Sequence, residues 1–252
     1  MTRLLIVTAV TAEADAIRAG ITQASRGEAG AARAGAAAIG GDPVGQGPVG
    51  VGPVGVGQAG VAHITVEPVG VGPAAAAAGT ARLLTLAEAA GTPYEAVICA
   101  GIAGGFVTRA EVGATVLGTR SIAADLGAES PDGFLRIEDL GFGTSTLEAD
   151  PHLLKSLSEA LPTAALGEIL TLATVTGSAA TATDLATRFP EAVAEAMEGF
   201  GVATAAAQAG IAYAEIRTIS NPIGPRDRTA WRLGEALAAL TRAAAALHSA
   251  LP

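Results

Sequence analysis

The sequence predicts a single α/β domain whose central sheet is mostly parallel, with helices on both faces. Short apolar runs, such as 4–7 and 96–100, are typical of strands buried on both faces of a parallel sheet. Ala- and Leu-rich segments with helical spacing, such as 74–90 and 225–248, alternate with these runs. This alternation of strands and helices is the order of a βαβ sheet.

The predicted elements continue along almost the whole of residues 1–252, which we expect to form one domain. Strands are predicted at 4–7, 64–66, 96–100, 112–122, 169–176 and 211–220. Helices are predicted at 74–90, 149–160, 179–188, 200–209 and 225–248, and a further one begins at Thr11. A low-complexity Gly-Pro-Val repeat at 41–60 is expected to form an irregular loop or an edge hairpin, because its prolines remove ladder donors.

Composition and charge exclude several classes of protein. Hydrophobic residues make up 50% and charged residues 15%, which favours a globular chain. The net charge of −9 argues against binding to nucleic acid. Because Cys99 is the single cysteine, an internal disulfide and a cysteine-rich zinc site are excluded, which is consistent with a cytoplasmic location.

The sequence carries no motif that indicates a metal, a cofactor or a membrane span. The three histidines form no visible ligand cluster, so we expect neither a metal nor a cofactor. The longest uncharged tract, 43–62, is interrupted throughout by Gly and Pro, so no membrane span is expected.

Polar and glycine residues gather where the predicted strands end. Glu13 follows the first strand, a glycine-rich turn follows Cys99, and Ser220 and Asn221 end the last strand. In α/β sheets, ligands bind beyond the carboxyl ends of the strands. Glu198 begins an Ala-rich segment that we expect to be packed, where a carboxylate can accept from two neighbouring hydroxyls, such as those of a ribose.

This ordered set of motifs resembles the nucleoside phosphorylase/nucleosidase superfamily. The resemblance covers nearly the whole chain except 24–60, and the ending SNPIGPRDR at 220–228 is similar to that of the futalosine hydrolases within the superfamily. The matching segments are IVTAVTAE at 6–13, GVGP at 70–73, CAGIAGGF at 99–106, TGS at 176–178, AMEG at 196–199 and IRTISN at 216–221.

The resemblance implies roles for both glutamates. Glu198 would accept hydrogen bonds from the ribose 2′- and 3′-hydroxyls and stabilise the oxocarbenium charge that develops on the sugar. Glu13 would orient the attacking water and take its proton. Each could instead be an acid in the first turn of a helix, where it interacts with the helix dipole.

Other matching residues would line the same pocket. Met197 would pack under the sugar, Gly101 and Gly104 would let the backbone approach the substrate, and Phe106 could stack on a ring. Ser178 could face the edge of the base. For Met197 and Phe106 the alternative is a place in the core, and for Ser178 it is capping of the next helix.

Asn221 points to the leaving group. The adenine-specific nucleosidases of the superfamily carry an aspartate there, which protonates the purine. An asparagine amide can instead donate to a 6-oxo group and accept from a protonated N7, with Ser220 beside it. Asp227 could deliver a proton through water or could begin a helix. The activity implied is hydrolysis of a 6-oxopurine nucleoside, namely futalosine, an intermediate of menaquinone biosynthesis, with release of hypoxanthine.

Three alternatives stay open at this point. They are a methylthioadenosine/adenosylhomocysteine-type nucleosidase, a purine nucleoside phosphorylase and a non-catalytic nucleoside sensor. Asn221 argues against the first, and Glu13 against the other two, because an anion repels phosphate and binding alone needs no water-orienting acid. The resemblance also implies a homodimer or a larger homo-oligomer. Arg136, Arg226 and Arg228 are candidates, by charge, for contact with an acidic non-purine end of the substrate.

Overall fold

The computed structural model describes residues 3–37 and 63–250, and the repeat at 41–60 lies outside them. Ten strands occur in the described residues: β1 (Arg3–Thr8), β2 (His63–Pro68), β3 (Ala96–Gly105), β4 (Thr115–Ala123), β5 (Gly127–Ser130), β6 (Gly133–Arg136), β7 (Thr146–Glu148), β8 (Ala165–Thr171), β9 (Ala192–Ala196) and β10 (Ala212–Pro222). Six α-helices occur there as well: α1 (Thr11–Ala37), α2 (Pro73–Ala89), α3 (Pro151–Ala160), α4 (Ala179–Arg188), α5 (Gly199–Ala209) and α6 (Leu233–Ala250).

Eight of these strands form one mixed sheet that closes on itself. Five of its pairings are parallel and three are antiparallel. Because β10 pairs with both β3 and β4, the strands β3, β10, β4, β8 and β9 form a closed ring, from which β1 and β2 extend. The predicted α/β architecture is confirmed, but the antiparallel pairings and the closure into a barrel were not predicted.

Helices cover both faces of the extended part of the sheet. On β1, Leu4 and Ile6 pack with α1 and α6, whereas Leu5 and Val7 pack with α2 and α5. Successive side chains of a strand point to opposite faces, so one apolar run supplies both cores. This explains why the buried strands of the chain are continuous apolar runs rather than alternating ones.

Several element boundaries differ from the predicted ones. The closing helix begins at Leu233 rather than at 225, because Asp227 caps a single 3₁₀ turn and the Arg232 N–H donates to the Ser220 carbonyl. The strand predicted at 169–176 is β8, which ends at Thr171. β9 and the hairpin of β5 with β6 were not predicted.

The topology brings the segments that follow several strands to one edge of the sheet. β1, β2, β3 and β10 are mutually parallel, so the segments that follow them lie at the same edge. β9 runs antiparallel to β3, with Glu195 opposite Gly104, so the chain from Glu195 to Glu198 runs back along β3 toward Gly101. Among the described residues, no helix combines the length and the apolar character needed to cross a membrane.

Candidate active site

Glu13 joins the turn after β1 to the middle of β3. The residue is 3% exposed, and its carboxylate accepts hydrogen bonds on both oxygens. Oε2 accepts from the backbone N–H of Ala9 at 3.0 Å and of Val10 at 3.2 Å. Oε1 accepts from the N–H of Ile102 at 2.9 Å. Glu13 therefore caps the start of α1, as a first-turn acid can, and is also fixed against the strand that carries the glycine-rich segment.

Glu198 precedes α5 but does not cap it. The side chain makes no hydrogen bond to its own helix. Instead, Oε1 accepts from the N–H of Gly72 at 3.2 Å, and Oε2 lies 3.2 Å from Nη1 of Arg217. The carboxylate is directed across the site toward β10 and the turn before α2, so a role as a simple helix-terminal acid does not account for its orientation.

Arg217 is the buried cation between the acids, and sequence reasoning gave it no role. It is 1% exposed, and its Nε donates to Oε1 of Glu215 at 2.9 Å. Nη2 contacts Sγ of Cys99 at 3.2 Å. Oε2 of Glu215 also accepts from the hydroxyls of Tyr213, at 3.0 Å, and Ser121. Glu215, Arg217 and Glu198 thus form one buried chain of charges.

Glu13 reaches the same cation across Gly101. A Cβ placed on Gly101 would lie 2.6 Å from Oε1 of Glu13 and 2.9 Å from Nη1 of Arg217. No side chain fits at this position without displacing the carboxylate or the guanidinium. The two glutamates, 185 positions apart in the printed sequence, therefore lie around a single arginine.

Burial governs the charges of this cluster. Burial raises the pKa of Glu13, while its backbone hydrogen bond from Ile102 and the charge of Arg217 oppose the rise. Burial alone would lower the pKa of Arg217, but the surrounding carboxylates of Glu215, Glu198 and Glu13 contribute to raising it well above its ordinary value. Burial also raises the pKa of the Cys99 thiol, which therefore stays neutral.

A cavity opens beside Asn221, at the other end of the glycine-rich segment. Its walls include Gly104, Thr176, Glu195, Arg226 and Trp231. Oδ1 of Asn221 accepts from the Ser220 hydroxyl at 2.8 Å, and Nδ2 lies 3.5 Å from where a Cβ of Gly104 would stand. Glu13 and Glu198 are not among the residues that line this cavity.

The remaining predicted residues lie in varied surroundings. Ser220 is buried, and its hydroxyl oxygen lies 3.2 Å from the Ala103 carbonyl oxygen, whereas Ser178 is the N-cap of α4 and accepts from the N–H of Thr181. Phe106 is buried in a cluster with Leu172 and other apolar residues. Met197 is half-buried. Ser178 and Phe106 thus occupy the capping and core positions that the sequence left as their alternatives.

Charged residues after β10 surround Trp231. The guanidinium carbons of Arg226 and Arg228 lie 5.8 and 5.9 Å from the ring centroid. Hydrogen bonds from Thr229 lower the pKa of Asp227, so this exposed acid is ionised near neutral pH and is a poor proton donor. Arg136 lies elsewhere, where it donates to Ser145 and Thr146. Nowhere in residues 3–37 and 63–250 do three or more potential metal ligands converge.

A family model and several known proteins match this sequence. The model of the Phosphorylase superfamily matches residues 6–251. The chain belongs to the phosphorylase superfamily. It is 53% identical to the futalosine hydrolase of Streptomyces coelicolor over 178 residues, which cover 71% of this chain and 75% of that protein. It is 50% identical to the futalosine hydrolase of Acidothermus cellulolyticus, over 62% of this chain and 66% of that protein.

Solved structures share the phosphorylase-superfamily fold at lower identity. The S-adenosylhomocysteine nucleosidase of Streptococcus pyogenes, in complex with 5-methylthiotubericidin, matches with a TM-score of 0.73 and 17% identity over 100% of this chain and 98% of that one. The futalosine hydrolase of Helicobacter pylori matches with a TM-score of 0.67 and 16% identity over 99% and 97% of the two chains. At such identities the likeness shows the fold alone.

Three buried charges of this phosphorylase-superfamily chain escaped the sequence reasoning: Glu195, Glu215 and Arg217. Each lies in the buried part of its strand, β9 for Glu195 and β10 for Glu215 and Arg217. Glu215 and Arg217 stand two residues apart, a spacing that places both side chains on one face of a strand. A pair of opposite charges inside the apolar segment 211–220 was the signal that could have identified them.

Proposed function

We propose that the chain hydrolyses the N-glycosidic bond of futalosine, a 6-oxopurine nucleoside, and releases hypoxanthine. The observation that carries the proposal is the meeting of Glu13 and Glu198 around Arg217, beside a glycine that admits no side chain. The identity of 53% to a futalosine hydrolase over most of both chains supports the choice of substrate.

In the proposed reaction, Glu13 acts on water and Glu198 on the sugar. The water oxygen attacks C1′, and its proton passes to the Glu13 carboxylate. The bond from C1′ to the purine nitrogen breaks, and its electron pair leaves with the base. The base takes up a proton from solvent water, and the proton held by Glu13 is returned to solvent. Positive charge develops on the sugar ring meanwhile, and a carboxylate bound to the 2′- and 3′-hydroxyls stabilises that charge.

The hydrogen bonds of both carboxylates leave acceptor capacity for these roles. Oε1 of Glu198 accepts one hydrogen bond and Oε2 has one ion-pair contact, whereas each carboxylate oxygen has two lone pairs. Oε1 of Glu13 likewise accepts one hydrogen bond. Burial raises the pKa of Glu13, which makes it a stronger base than an exposed glutamate.

The spacing along β3 suits a nucleoside. Gly101 lies beside Glu13 and Arg217, and Gly104 lies beside Asn221. Three residues of a strand span about 10 Å at the usual rise of roughly 3.3 Å per residue. We place the sugar toward Gly101 and the base toward Gly104, where the amide of Asn221 would donate to the 6-oxo group.

Hydrolysis is favoured over phosphorolysis by the charge around the site. Arg217 is a cation, but its Nε and Nη1 already face Glu215 and Glu198. With Glu13 nearby, acids outnumber the cation in this cluster, so a phosphate dianion would be repelled from the position of the attacking water.

One assay tests the proposal against its alternatives. Futalosine, inosine and methylthioadenosine are incubated with the protein, each with and without phosphate, and the free base is measured. We expect hypoxanthine from futalosine at a rate that phosphate does not change. Phosphate-dependent release of hypoxanthine from inosine, release of adenine from methylthioadenosine alone, or no turnover of any substrate would contradict the proposal.

Assembly and location belong to the same proposal. We expect a homodimer or a larger homo-oligomer in the cytoplasm, with residues 1–252 forming one domain. The free, buried Cys99 is compatible with a reducing compartment. Sedimentation of the purified protein as a monomer at micromolar concentration would contradict the expected assembly.

A further inference from the structure

The cavity beside Asn221 contains a buried acid that the proposed mechanism does not use. Glu195 is 6% exposed and lines this cavity. Oε1 accepts from the backbone N–H of Thr176 at 2.7 Å, and Oε2 from the Thr176 hydroxyl at 2.5 Å. Each oxygen therefore retains a lone pair for a further donor.

Strand register places Glu195 and Asn221 on either side of Gly104. Gly104 is opposite Asn221 on β10 and opposite Glu195 on β9. Residues directly opposite each other on neighbouring strands direct their side chains to the same face of a sheet. Because Gly104 has no side chain, the floor between the acid and the amide is open.

Glu195 has no partner of opposite charge in the part of the chain that the structure describes. The ion pairs found there involve other acids. Burial raises the pKa of Glu195, and the two hydrogen bonds from Thr176 oppose the rise. A buried carboxylate without a cation is costly, and such groups are concentrated at functional sites.

We propose that the Glu195 carboxylate accepts a hydrogen bond from N1–H of the purine and thereby selects 6-oxopurines over 6-aminopurines. The inference rests on the proposed function, since it assigns a residue to the base of that substrate. A 6-oxopurine carries a hydrogen on N1, whereas N1 of a 6-aminopurine is a bare acceptor. A carboxylate at this position attracts the first base and repels the second.

Asn221 alone cannot make this distinction. Its Nδ2 can donate to a 6-oxo group, whereas its Oδ1, which accepts from Ser220, keeps a second lone pair that can accept from a 6-amino group. An ionised carboxylate is an acceptor only. The carboxylate of Glu195 therefore supplies a selectivity that the amide lacks.

The alternative to this proposal is a purely structural role for Glu195, because its hydrogen bonds with Thr176 fix the segment that follows β8. The two roles differ in one measurable quantity. A structural role changes the turnover of every substrate by the same factor, whereas a role at N1 changes the ratio between two bases.

The test compares futalosine with its 6-amino analogue in the wild-type protein and in Glu195→Gln. The glutamine side chain is close in size and can donate an N–H to N1 of a 6-aminopurine. We expect the ratio of kcat/KM for the 6-oxo over the 6-amino substrate to fall by about 10- to 100-fold, the range for a hydrogen bond to a charged group. Glu168→Gln is the matched control, because Glu168 is a partly buried acid of β8 that pairs with Arg120 outside the cavity.

A ratio that stays within about threefold of the wild-type value in Glu195→Gln would overturn the inference. If that variant does not fold, the wild-type protein still tests it, through inhibition by hypoxanthine and by 1-deazahypoxanthine, which has C–H in place of N1–H. We expect at least 10-fold weaker inhibition by the deaza compound, and equal inhibition overturns the inference. A wild-type protein that releases no hypoxanthine from futalosine refutes the proposed function instead, and the two free bases test Glu195 separately.

Discussion

Replacing Arg217 with methionine is expected to destabilise the protein strongly. The side chain is 1% exposed and lies between Glu215 and Glu198, which are also buried. Methionine preserves much of the volume but none of the charge. Both carboxylates would then be left in the interior without a cation, and taking an unpaired charge out of water is far more costly than taking a neutral group.

The structure sets the size of this effect. Glu215 would retain the hydroxyls of Tyr213 and Ser121 as donors, but Glu198 would retain only the N–H of Gly72. Removing one member of a buried ion pair costs about 3–5 kcal/mol. For a protein of this size, we expect the melting temperature to fall by roughly 6–20 °C.

Denaturant unfolding of the purified variants measures the difference. Arg217→Met is compared with Lys155→Met, which removes a cation from an exposed i,i+4 pair with Glu159. The control should change the free energy of unfolding by less than about 0.5 kcal/mol. If Arg217→Met is as stable as the control, the buried chain of charges does not contribute as the structure implies and the reasoning is refuted.

Three further predictions concern activity. Glu13→Gln should lower kcat by about 10²- to 10⁴-fold while hypoxanthine still inhibits, as steady-state kinetics would show, and unchanged kcat would remove Glu13 from the mechanism. Because burial raises the pKa of Glu13 above 4.5, the wild-type rate should fall with decreasing pH as this base is protonated, and a rate-against-pH profile without that acidic limb would contradict the role. Gly101→Ala should lower kcat/KM by more than about 10-fold, because its Cβ would lie 2.6 Å from Oε1 of Glu13. Gly27→Ala is the control and should leave kcat/KM unchanged, because Gly27 has open space around it. Equal kinetics of the two variants would show that the contact at Gly101 is dispensable.

Much of the fold could be predicted because its strongest signals are local. The apolar run 4–7 supplies two cores at once, so it stands out from the sequence alone. The closure of the barrel depends on β10 pairing with both β3 and β4, which is a long-range arrangement without a local sequence signal. β9 escaped prediction because it is five residues long, rich in alanine and contains Glu195.

The residues of the candidate site were likewise predicted only in part from the sequence. Glu13 was predicted because it follows the first strand in the segment 6–13, and Glu198 because it stands in the AMEG segment at 196–199. Arg217 and Glu215 were missed because each charged residue of the strand was considered singly. Their significance becomes clear only when the two opposite charges, two residues apart, are considered as a pair. Asp227 was expected either to deliver a proton through water or to begin a helix. In the structure it caps a single 3₁₀ turn and not α6.

The most direct test of the central claim is a crystal structure with a non-cleavable C-nucleoside analogue of the substrate. We predict that the Glu198 carboxylate lies 2.5–3.0 Å from both ribose hydroxyls and that Glu13 holds a water facing C1′. We also predict that Asn221 faces the 6-oxo group of the base. A sugar bound away from Arg217, with either glutamate out of reach of it, would contradict the account.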